Sequence, residues 1–566
     1  MSDYIIGRVI SVNGGNIDIV LDDFNNTSGV PDNMNININT DEGPKPLQIG
    51  QPGTFLKIDI SGGALLCMVS EIKMKEGSIS NSKESDCVYE IVTPVRILTL
   101  VPFGSINSKG KFERGTDVLP TINSKVYAVS GKTIKQIYQS YSDGDFNLGK
   151  LSLMPEQDAL INLDSFLSRH GAILGQTGSG KSWTVASFLQ KIMNFEQSTV
   201  VLFDLHGEYK NAFGDEAEYI DASSIELPYW LMNCEELLDL MVDRSEAAAP
   251  NQTAIFRDLL QAAKQNEPEN ISLNIPKINV DTPVYFNFAD IIARMKQLDE
   301  AMEPGSKAST FKKAPLNGQF TRLLMRINSK MNDVRYDLIF KPKKYNTSAS
   351  MTDLFRKILG EEKKPKKVVI LDISPIPFDV RTSVISLILR CIFDFCYWYK
   401  KINGSCYPVA VFCDEAHIYL NESDASSKSA RLSAERIAKE GRKYGASLTV
   451  ISQRPREVSA TILSQCNTFL CLRITNPDDQ SYVRRLLPDS IAGIASMFSS
   501  LKRGECILLG DSVIMPTRIR IDVPNPKPSS DDISFYEEWS KPHTDKNIEQ
   551  VLDAWRRQQV SEGEAL

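Results

Sequence analysis

The sequence has few of the residues from which zinc sites and disulfide frameworks are built. It contains four histidines and ten cysteines, and no two cysteines form a C-x-x-C pair. Because zinc sites use such pairs or clusters with histidine, no zinc constellation is predicted. Cys391, Cys396, Cys413 and Cys471 lie in apolar runs, where free cysteines are usually buried. We therefore predict reduced thiols in the core.

Long apolar segments are also missing. No run of the sequence approaches the roughly 18 apolar residues of a membrane-spanning helix. The first residues, Met1 to Tyr4, lack the basic and then apolar layout of a secretory signal. We therefore expect a cytoplasmic protein that has no membrane partner.

Basic residues are outnumbered by acidic ones, with 64 Lys and Arg against 71 Asp and Glu and a formal net charge of −7. This balance argues against a surface covered with phosphate-binding residues. It does not exclude DNA, because a ring can hold a basic lumen inside an acidic exterior. At about 150 residues per domain, the chain has the length of roughly three or four compact units.

A phosphate-binding pattern follows the short apolar run Gly171 to Leu174. The pattern G-x-x-x-x-G-K-[ST] is met without substitution by Gly175, Gln176, Thr177, Gly178, Ser179, Gly180, Lys181 and Ser182. Trp183 to Ile192 then carries apolar residues at helical spacing. Glycines in such a loop turn backbone N–H groups towards phosphates, and the helix points its positive end at the same charge. The pattern predicts a nucleoside triphosphate site, with Lys181 on the β- and γ-phosphates and Ser182 on Mg²⁺.

An acidic pair follows a second apolar run. Pro408 to Cys413 is typical of a buried strand, and Asp414 and Glu415 come directly after it. In P-loop ATPases the aspartate of such a pair binds Mg²⁺ and the glutamate orients the attacking water. Gln453 ends the next predicted strand, so its amide can span the γ-phosphate and the water. The alternative for Gln453 is an ordinary glutamine at a strand end.

Phosphoryl transfer also needs positive charge on the transition state, which an arginine of a neighbouring subunit often supplies. Arg436 and Arg442 lie on the predicted helix Ala434 to Tyr444, and Arg169 precedes the phosphate loop. We favour Arg442 acting in trans, with Arg169 contributing to nucleotide binding from within the same subunit. The alternative for each arginine is a solvated surface charge.

The order of predicted elements indicates an α/β fold. Strands and helices alternate around the two motifs, which predicts a mostly parallel sheet covered on both faces. Helical periodicity interrupts this alternation between Leu227 and Lys367. Before Gly149, short β-rich segments split by turn residues indicate a small barrel or sandwich, and the stretch Asn25 to Pro46 is predicted to be a long loop.

These motifs strongly resemble those of the HerA family of hexameric DNA-translocating ATPases, within the HerA/FtsK superfamily. The matching stretches are His170 to Ser182, Asp204 to Tyr209, Leu227 to Asn233, Asp414 to His417, Gly441 to Gly445 and Ser452 to Pro455. The opening Ile6-Gly7-Arg8-Val9 is similar to the start of that family's small β-barrel. The resemblance implies a RecA-like core, a homohexamer with ATP and Mg²⁺ sites between subunits, and double-stranded DNA in a central channel. It also implies an effector partner, either a nuclease or a sirtuin-like NAD-consuming enzyme, in DNA processing or antiphage defence.

We predict five segments from these observations: an N-terminal β-barrel over 1–150, the RecA-like core over 151–210 and 367–523, a helical insertion over 211–366, and a tail with a helix over 524–566. The predicted function is ATP-driven translocation of double-stranded DNA together with an effector. The alternative is a ring-shaped scaffold whose nucleotide sites stabilise assembly and activate the effector with little DNA movement. Glu415 favours the translocase, because a scaffold has no need of a carboxylate that positions water.

Overall fold

The computed structural model of the chain describes residues 5–21, 35–40, 43–48, 51–84, 87–108, 110–129, 131–140, 146–152, 154–221, 225–304, 311–487, 497–530, 533–541 and 547–557. The contacts between its residues divide it into two compact units, Met1–Pro528 and Ser529–Leu566. Among the helices of these described residues, none is long and apolar enough to cross a membrane.

The N-terminal part of the first unit is a closed antiparallel barrel. The elements of this N-terminal part are β1 (Ile5–Asn13), β2 (Asn16–Leu21), β3 (Asn35–Thr40), β4 (Gly43–Gln48), β5 (Phe55–Ile60), β6 (Gly63–Glu84), β7 (Cys87–Asn107), β8 (Phe112–Arg114), β9 (Lys125–Ala128) and α1 (Gly131–Ser140). Six strands follow the order β2-β1-β9-β5-β6-β7, and β7 pairs back with β2. Alternate residues such as Ile17, Ile19, Leu98 and Leu100 are fully buried, as expected for strands with one face on a barrel core. Of the two predicted alternatives, the barrel is confirmed.

The long loop predicted for Asn25 to Pro46 is wrong in its second half. Strands β3 and β4 form an antiparallel pair that runs from Asn35 opposite Gln48 to Thr40 opposite Gly43. In β3, isoleucines alternate with asparagines, and this period of two is a strand signal that the high asparagine content hides. Residues 25–34 lie outside the described part of the chain.

The centre of the first unit is an eleven-stranded sheet. It begins with β10 (Phe146–Leu151), β11 (Met154–Ile161), α2 (Leu163–Ser168), β12 (Gly171–Leu174), α3 (Lys181–Ile192), β13 (Val200–Asp204) and β14 (Ala217–Asp221). An insertion follows, with α4 (Cys234–Met241), α5 (Ala249–Asn266), α6 (Pro268–Ser272), α7 (Phe288–Glu300), β15 (Met302–Pro304), β16 (Phe311–Lys313), α8 (Thr321–Met331), α9 (Asp337–Phe340) and α10 (Met351–Ile358). The sheet is completed with β17 (Val368–Asp372), α11 (Phe378–Asn403), β18 (Val409–Cys413), α12 (Lys428–Glu440), β19 (Ala446–Ser452), α13 (Ala460–Gln465), β20 (Thr468–Cys471), α14 (Pro477–Leu486), β21 (Glu505–Gly510) and β22 (Thr517–Ile521).

The strand order decides which loops meet at the site. Across the sheet it is β11-β10-β22-β21-β20-β12-β19-β18-β13-β17-β14. The strands from β20 to β14 are parallel, whereas β21, β22, β10 and β11 are joined by antiparallel pairs. A single strand, β19, therefore separates β12, which leads into the phosphate loop, from β18, which ends at the acidic pair.

The central parallel strands are buried on both faces, which explains their unbroken apolar runs. In β12, Ala172 and Leu174 pack into the core that contains α11 and α12, while Ile173 packs into the core that contains α3. Helices on both faces leave the parallel strands no solvent side, so every residue of β12 is buried. The predicted fold class is confirmed: a mixed α/β core with a small barrel and a helical insertion. The five segment boundaries stay predictions.

The helical insertion is tied to the core by a buried ion pair. Glu236 of α4 accepts from the Arg390 guanidinium on α11, with Nη2 to Oε2 at 3.0 Å, and the two side chains are 4% and 15% exposed. Glu236 also closes a capping box with Asn233 at the start of α4. This carboxylate therefore fixes both the start of the insertion's first helix and its contact with α11.

The described residues of the second unit, 529–530, 533–541 and 547–557, include the helices α15 (Phe535–Ser540) and α16 (Ile548–Arg557). The predicted helix near the end of the chain thus forms. Its apolar residues recur at helical spacing, and Ile548, Val551 and Trp555 are all more than half exposed.

Candidate nucleotide site

The phosphate loop connects β12 to α3, and its glycines take backbone conformations that other residues avoid. Gly178 has φ of 72° and Gly180 has φ of 101°, both in the left-handed region. At Gly180 a Cβ atom would also lie 3.1 Å from the Gly504 nitrogen. Helix α3 begins directly afterwards at Lys181, so its free N–H groups face the same space. A loop of this shape at a helix N-terminus is suited to phosphate.

Neighbouring strands hold the loop in place. The Gly175 N–H donates to the Ser452 carbonyl at 3.1 Å, and the Gln176 N–H donates to the Arg473 carbonyl at 2.9 Å. The Ser179 carbonyl accepts from the Gly504 N–H at 3.0 Å. One loop residue is thus fixed from each of three places: the end of β19, the end of β20 and the turn before β21. The loop is therefore ordered before phosphate binds.

The structure brings the two sequence motifs together. Lys181 and Glu415 are each 8% exposed, and the Lys181 Nζ lies 3.7 Å from Glu415 Oε1. The other carboxylate oxygen, Oε2, is buried 3.3 Å from His417 Nδ1 but makes no hydrogen bond to any described residue. One carboxylate oxygen of Glu415 therefore lies near the Lys181 ammonium group, and the other has no hydrogen-bond donor among the described residues.

Asp414 lies deeper than Glu415, at the end of β18, and is 3% exposed. Burial, followed by the charge of Glu415, raises the pKa of Asp414 well above its usual value. A divalent cation would reverse this shift, because it stabilises the carboxylate form. The Ser182 hydroxyl and the Asp414 carboxyl are oxygen donors of the kind Mg²⁺ prefers. The described residues contain no group of three or more His, Cys, Asp or Glu that could hold a metal ion.

Gln453 is also placed at the loop. It follows β19 directly, and its Oε1 accepts from the Thr177 Oγ1 at 2.5 Å. The amide of the residue predicted to sense the γ-phosphate thus lies against the first turn of the phosphate loop. Its role in hydrolysis stays a prediction.

The structure places Arg169 away from its own subunit's phosphate loop, to which it is predicted to contribute. Arg169 precedes β12, whereas the loop follows it, and a strand of four residues, about 13 Å long, separates the two. The Arg169 Nη1 pairs with Asp511 Oδ2 at 2.6 Å on the amino edge of the sheet. Proximity in sequence does not bring Arg169 to the loop, because the four residues of β12 lead from one edge of the sheet to the other.

Arg442 lies on the same amino edge. It belongs to a 3₁₀ turn, Gly441–Lys443, and not to the predicted helix, since α12 ends at Glu440. A Cβ atom at Gly441 would come within 2.3 Å of the Ala446 carbonyl oxygen, so the turn packs tightly before β19. Arg442 is exposed, and Arg436 is held in its own chain by Asp394 at 3.3 Å and over the Phe393 ring at 4.3 Å. Neither arginine faces the phosphate loop of its own subunit.

Sequence reasoning assigned no role to Asp204, which the structure shows to organise a loop. Asp204 is fully buried at the end of β13. Its Oδ1 accepts from the backbone N–H of His206 at 3.3 Å, Gly207 at 2.9 Å and Glu208 at 3.2 Å, and its Oδ2 from Tyr209 at 3.0 Å. Burial raises its pKa in spite of these donors. An aspartate at a strand end before a glycine is a signal for such a turn.

Fold and site together define a P-loop ATPase, and comparison with known proteins shows which ones it resembles. Residues 146–392 match the family model described as Helicase HerA, central domain. The DNA double-strand break repair helicase HerA of Saccharolobus solfataricus is 28% identical over 76% of this chain and 79% of its own length. A probable helicase of Methanocaldococcus jannaschii is 25% identical over 86% of this chain and 90% of its own. Among solved structures, VirB4 of Thermoanaerobacter pseudethanolicus superposes with a TM-score of 0.45 and 16% identity, covering 67% of this chain and 96% of that one. The predicted resemblance to the HerA family is confirmed: residues 146–392 match the family's central domain, and most of the chain is similar to HerA helicases.

Replacing Asp204 tests whether its carboxylate organises the loop. We expect Asp204→Ala to lower the free energy of unfolding by at least about 2 kcal/mol, because four backbone N–H groups lose their acceptor. Asp204→Asn should lose less, since an amide oxygen can still take the place of Oδ1. Urea denaturation measures both. Asp215→Ala, an exposed aspartate in the same connection, is the control, and an equal loss in Asp204→Ala and Asp215→Ala would contradict the assignment.

Proposed function

We propose that this chain is an ATP-driven translocase of double-stranded DNA that works as a homohexameric ring with an effector protein. The observation that carries the proposal is the buried Glu415 carboxylate, with one oxygen beside Lys181 and the other without a hydrogen bond among the described residues. An unsatisfied buried oxygen is costly unless something binds it. A water positioned for in-line attack on a γ-phosphate would satisfy it. The matched HerA proteins, whose names describe helicases of DNA break repair, support DNA as the substrate.

The remaining residues of the site would divide the work of hydrolysis. Backbone N–H groups of Gly178 and Gly180 and of the first turn of α3 would hold the phosphates, and Lys181 would neutralise their charge. Ser182 and Asp414 would hold Mg²⁺, which supplies Lewis-acid stabilisation of the phosphate oxygens. Gln453 would orient the γ-phosphate and the water from the side of Thr177. Each role agrees with the position of the side chain at the carboxyl edge of the sheet.

Arg442 would complete the site from a neighbouring subunit. It is exposed on the amino edge, at the opposite end of the strands from its own phosphate loop. A ring that sets the amino edge of one sheet against the carboxyl edge of the next brings this guanidinium to the neighbour's Lys181. Arg436 is a weaker candidate, because Asp394 and Phe393 already hold it in its own chain.

The effector is proposed on the family resemblance alone. It is either a nuclease or a sirtuin-like NAD-consuming enzyme, and the ring would act with it in DNA processing or antiphage defence. A scaffold that only assembles and activates such an effector would also bind nucleotide. It would not need hydrolysis that responds to DNA.

ATP hydrolysis measured with and without linear double-stranded DNA tests the proposal. We expect DNA to stimulate the unmodified protein, and Glu415→Gln to remove this stimulated hydrolysis while ATP binding persists, because an amide cannot activate the water. Lys181→Ala should abolish hydrolysis altogether. Slow hydrolysis that ignores DNA would support the scaffold, and turnover retained in Lys181→Ala would refute the site.

Mixing two inactive variants tests whether Arg442 acts in trans. We expect Arg442→Ala to bind ATP and assemble normally but not to hydrolyse it, and Lys181→Ala to be inactive as well. In rings mixed from equal amounts of the two, roughly a quarter of the interfaces pair an intact lysine with an intact arginine, so hydrolysis should reappear. Arg436→Ala, which should stay active alone, is the control. Mixed rings without activity would contradict a role in trans, and normal turnover in Arg442→Ala would transfer the role to Arg436.

A further inference from the structure

A third carboxylate, Glu208, contacts the phosphate-loop serine. The Ser182 Oγ donates to Glu208 Oε2 at 2.7 Å. Glu208 comes from a different strand end than Asp414 and Glu415, since it follows β13 and they follow β18. It lies on the Ser182 side of the site, whereas Glu415 lies on the Lys181 side at 3.7 Å. The two glutamates therefore hold different residues of the loop.

The position of Glu208 is built into the fold. Its backbone N–H is one of the four that Asp204 binds, and the next residue, Tyr209, is fully buried with its own N–H bound to the same aspartate. Glu208 itself is only partly buried, so its side chain is presented at the edge of the site by a rigid turn. The turn thus fixes the backbone position from which the Glu208 carboxylate reaches Ser182.

The hydrogen bond from Ser182 to Glu208 would matter when the serine binds a metal ion. When a serine hydroxyl binds a divalent cation, a lone pair of its oxygen faces the ion and its proton must be donated in another direction. Glu208 already accepts that proton. A fixed acceptor therefore holds the hydroxyl with its lone pairs free for the ion, and its negative charge raises the electron density on the oxygen.

We propose that Glu208 is a positioning residue that orients the Ser182 hydroxyl towards the divalent cation of the bound nucleotide. The inference rests on the proposed nucleotide and Mg²⁺ site and adds a residue to it. Glu208 acts through Ser182, and it does not replace Glu415 as the group that activates water.

Binding of Mn²⁺ in the presence of ADP tests the inference without hydrolysis. Free Mn²⁺ is measured by electron paramagnetic resonance while the metal is titrated into the full-length protein with ADP. The affinity for ADP alone is measured in EDTA. The variants are Glu208→Ala, Glu208→Gln and Ser182→Ala, with Glu196→Gln as the control because Glu196 is exposed in the connection after α3. Thermal unfolding of each variant checks that the fold is kept.

We expect Glu208→Ala to weaken Mn²⁺ binding by about tenfold or more, as losses of outer-sphere partners do, with unchanged affinity for ADP in EDTA. Glu208→Gln should lose less, because its amide oxygen still accepts from Ser182. Adding Glu208→Ala to Ser182→Ala should cause little further loss, because Glu208 acts through the serine.

Unchanged Mn²⁺ affinity in Glu208→Ala would overturn the inference. An equal loss of ADP affinity in EDTA would overturn it too, because it would assign Glu208 to the loop structure. If the unmodified protein bound no ADP, the proposed nucleotide site itself would fail, which this design distinguishes from failure of Glu208 alone.

Discussion

Buried charge at the carboxyl edge of the sheet is the constraint on which the rest of the structure depends. Lys181, Asp414 and Glu415 are each at most 8% exposed, and one lysine cannot balance two carboxylates. Burying charges away from water is unfavourable unless partners satisfy them. Two observations show this excess of buried negative charge: the pKa of Asp414 is raised, and one oxygen of Glu415 has no hydrogen bond among the described residues. Nucleotide phosphates together with a divalent cation and a water are the ligands that would resolve it.

The fold assembles these charges by strand order. The phosphate loop and the acidic pair follow β12 and β18, which flank β19, so the loop, the pair and Gln453 end side by side. Apolar packing on both faces fixes the strands, and backbone hydrogen bonds from β19, β20 and the turn before β21 fix the loop. The site is therefore preorganised by contacts within the protein, as electrostatic catalysis requires.

The features that the sequence predicted are local patterns, whereas those that it missed depend on how the strands are arranged in the sheet. The phosphate loop, the acidic pair and the buried strands are local patterns: glycines at set positions, charges directly after apolar runs. Arg169 is a counterexample. It is close to the loop in sequence but on the opposite edge of the sheet, because the side on which a residue emerges depends on strand direction.

Asp204 and Glu208 were recognised as part of a motif, but their roles require knowing that β13 lies beside β18 and that a carboxylate collects four backbone donors. The strand pair β3–β4 was missed because asparagine suggested a loop, although isoleucine alternated with it. Patterns within one helix, strand or loop can thus be predicted from the sequence, whereas contacts between elements are seen only in the structure.

The most direct measurement of the central claim is displacement of a third strand from a DNA triplex, which reports movement along the duplex without requiring strand separation. The account predicts that the unmodified protein releases the third strand with ATP but not with a non-hydrolysable analogue, and that Glu415→Gln releases none. Hydrolysis of ATP by the assembled ring without any release, even with the effector present, would contradict translocation and leave the scaffold as the function of this chain.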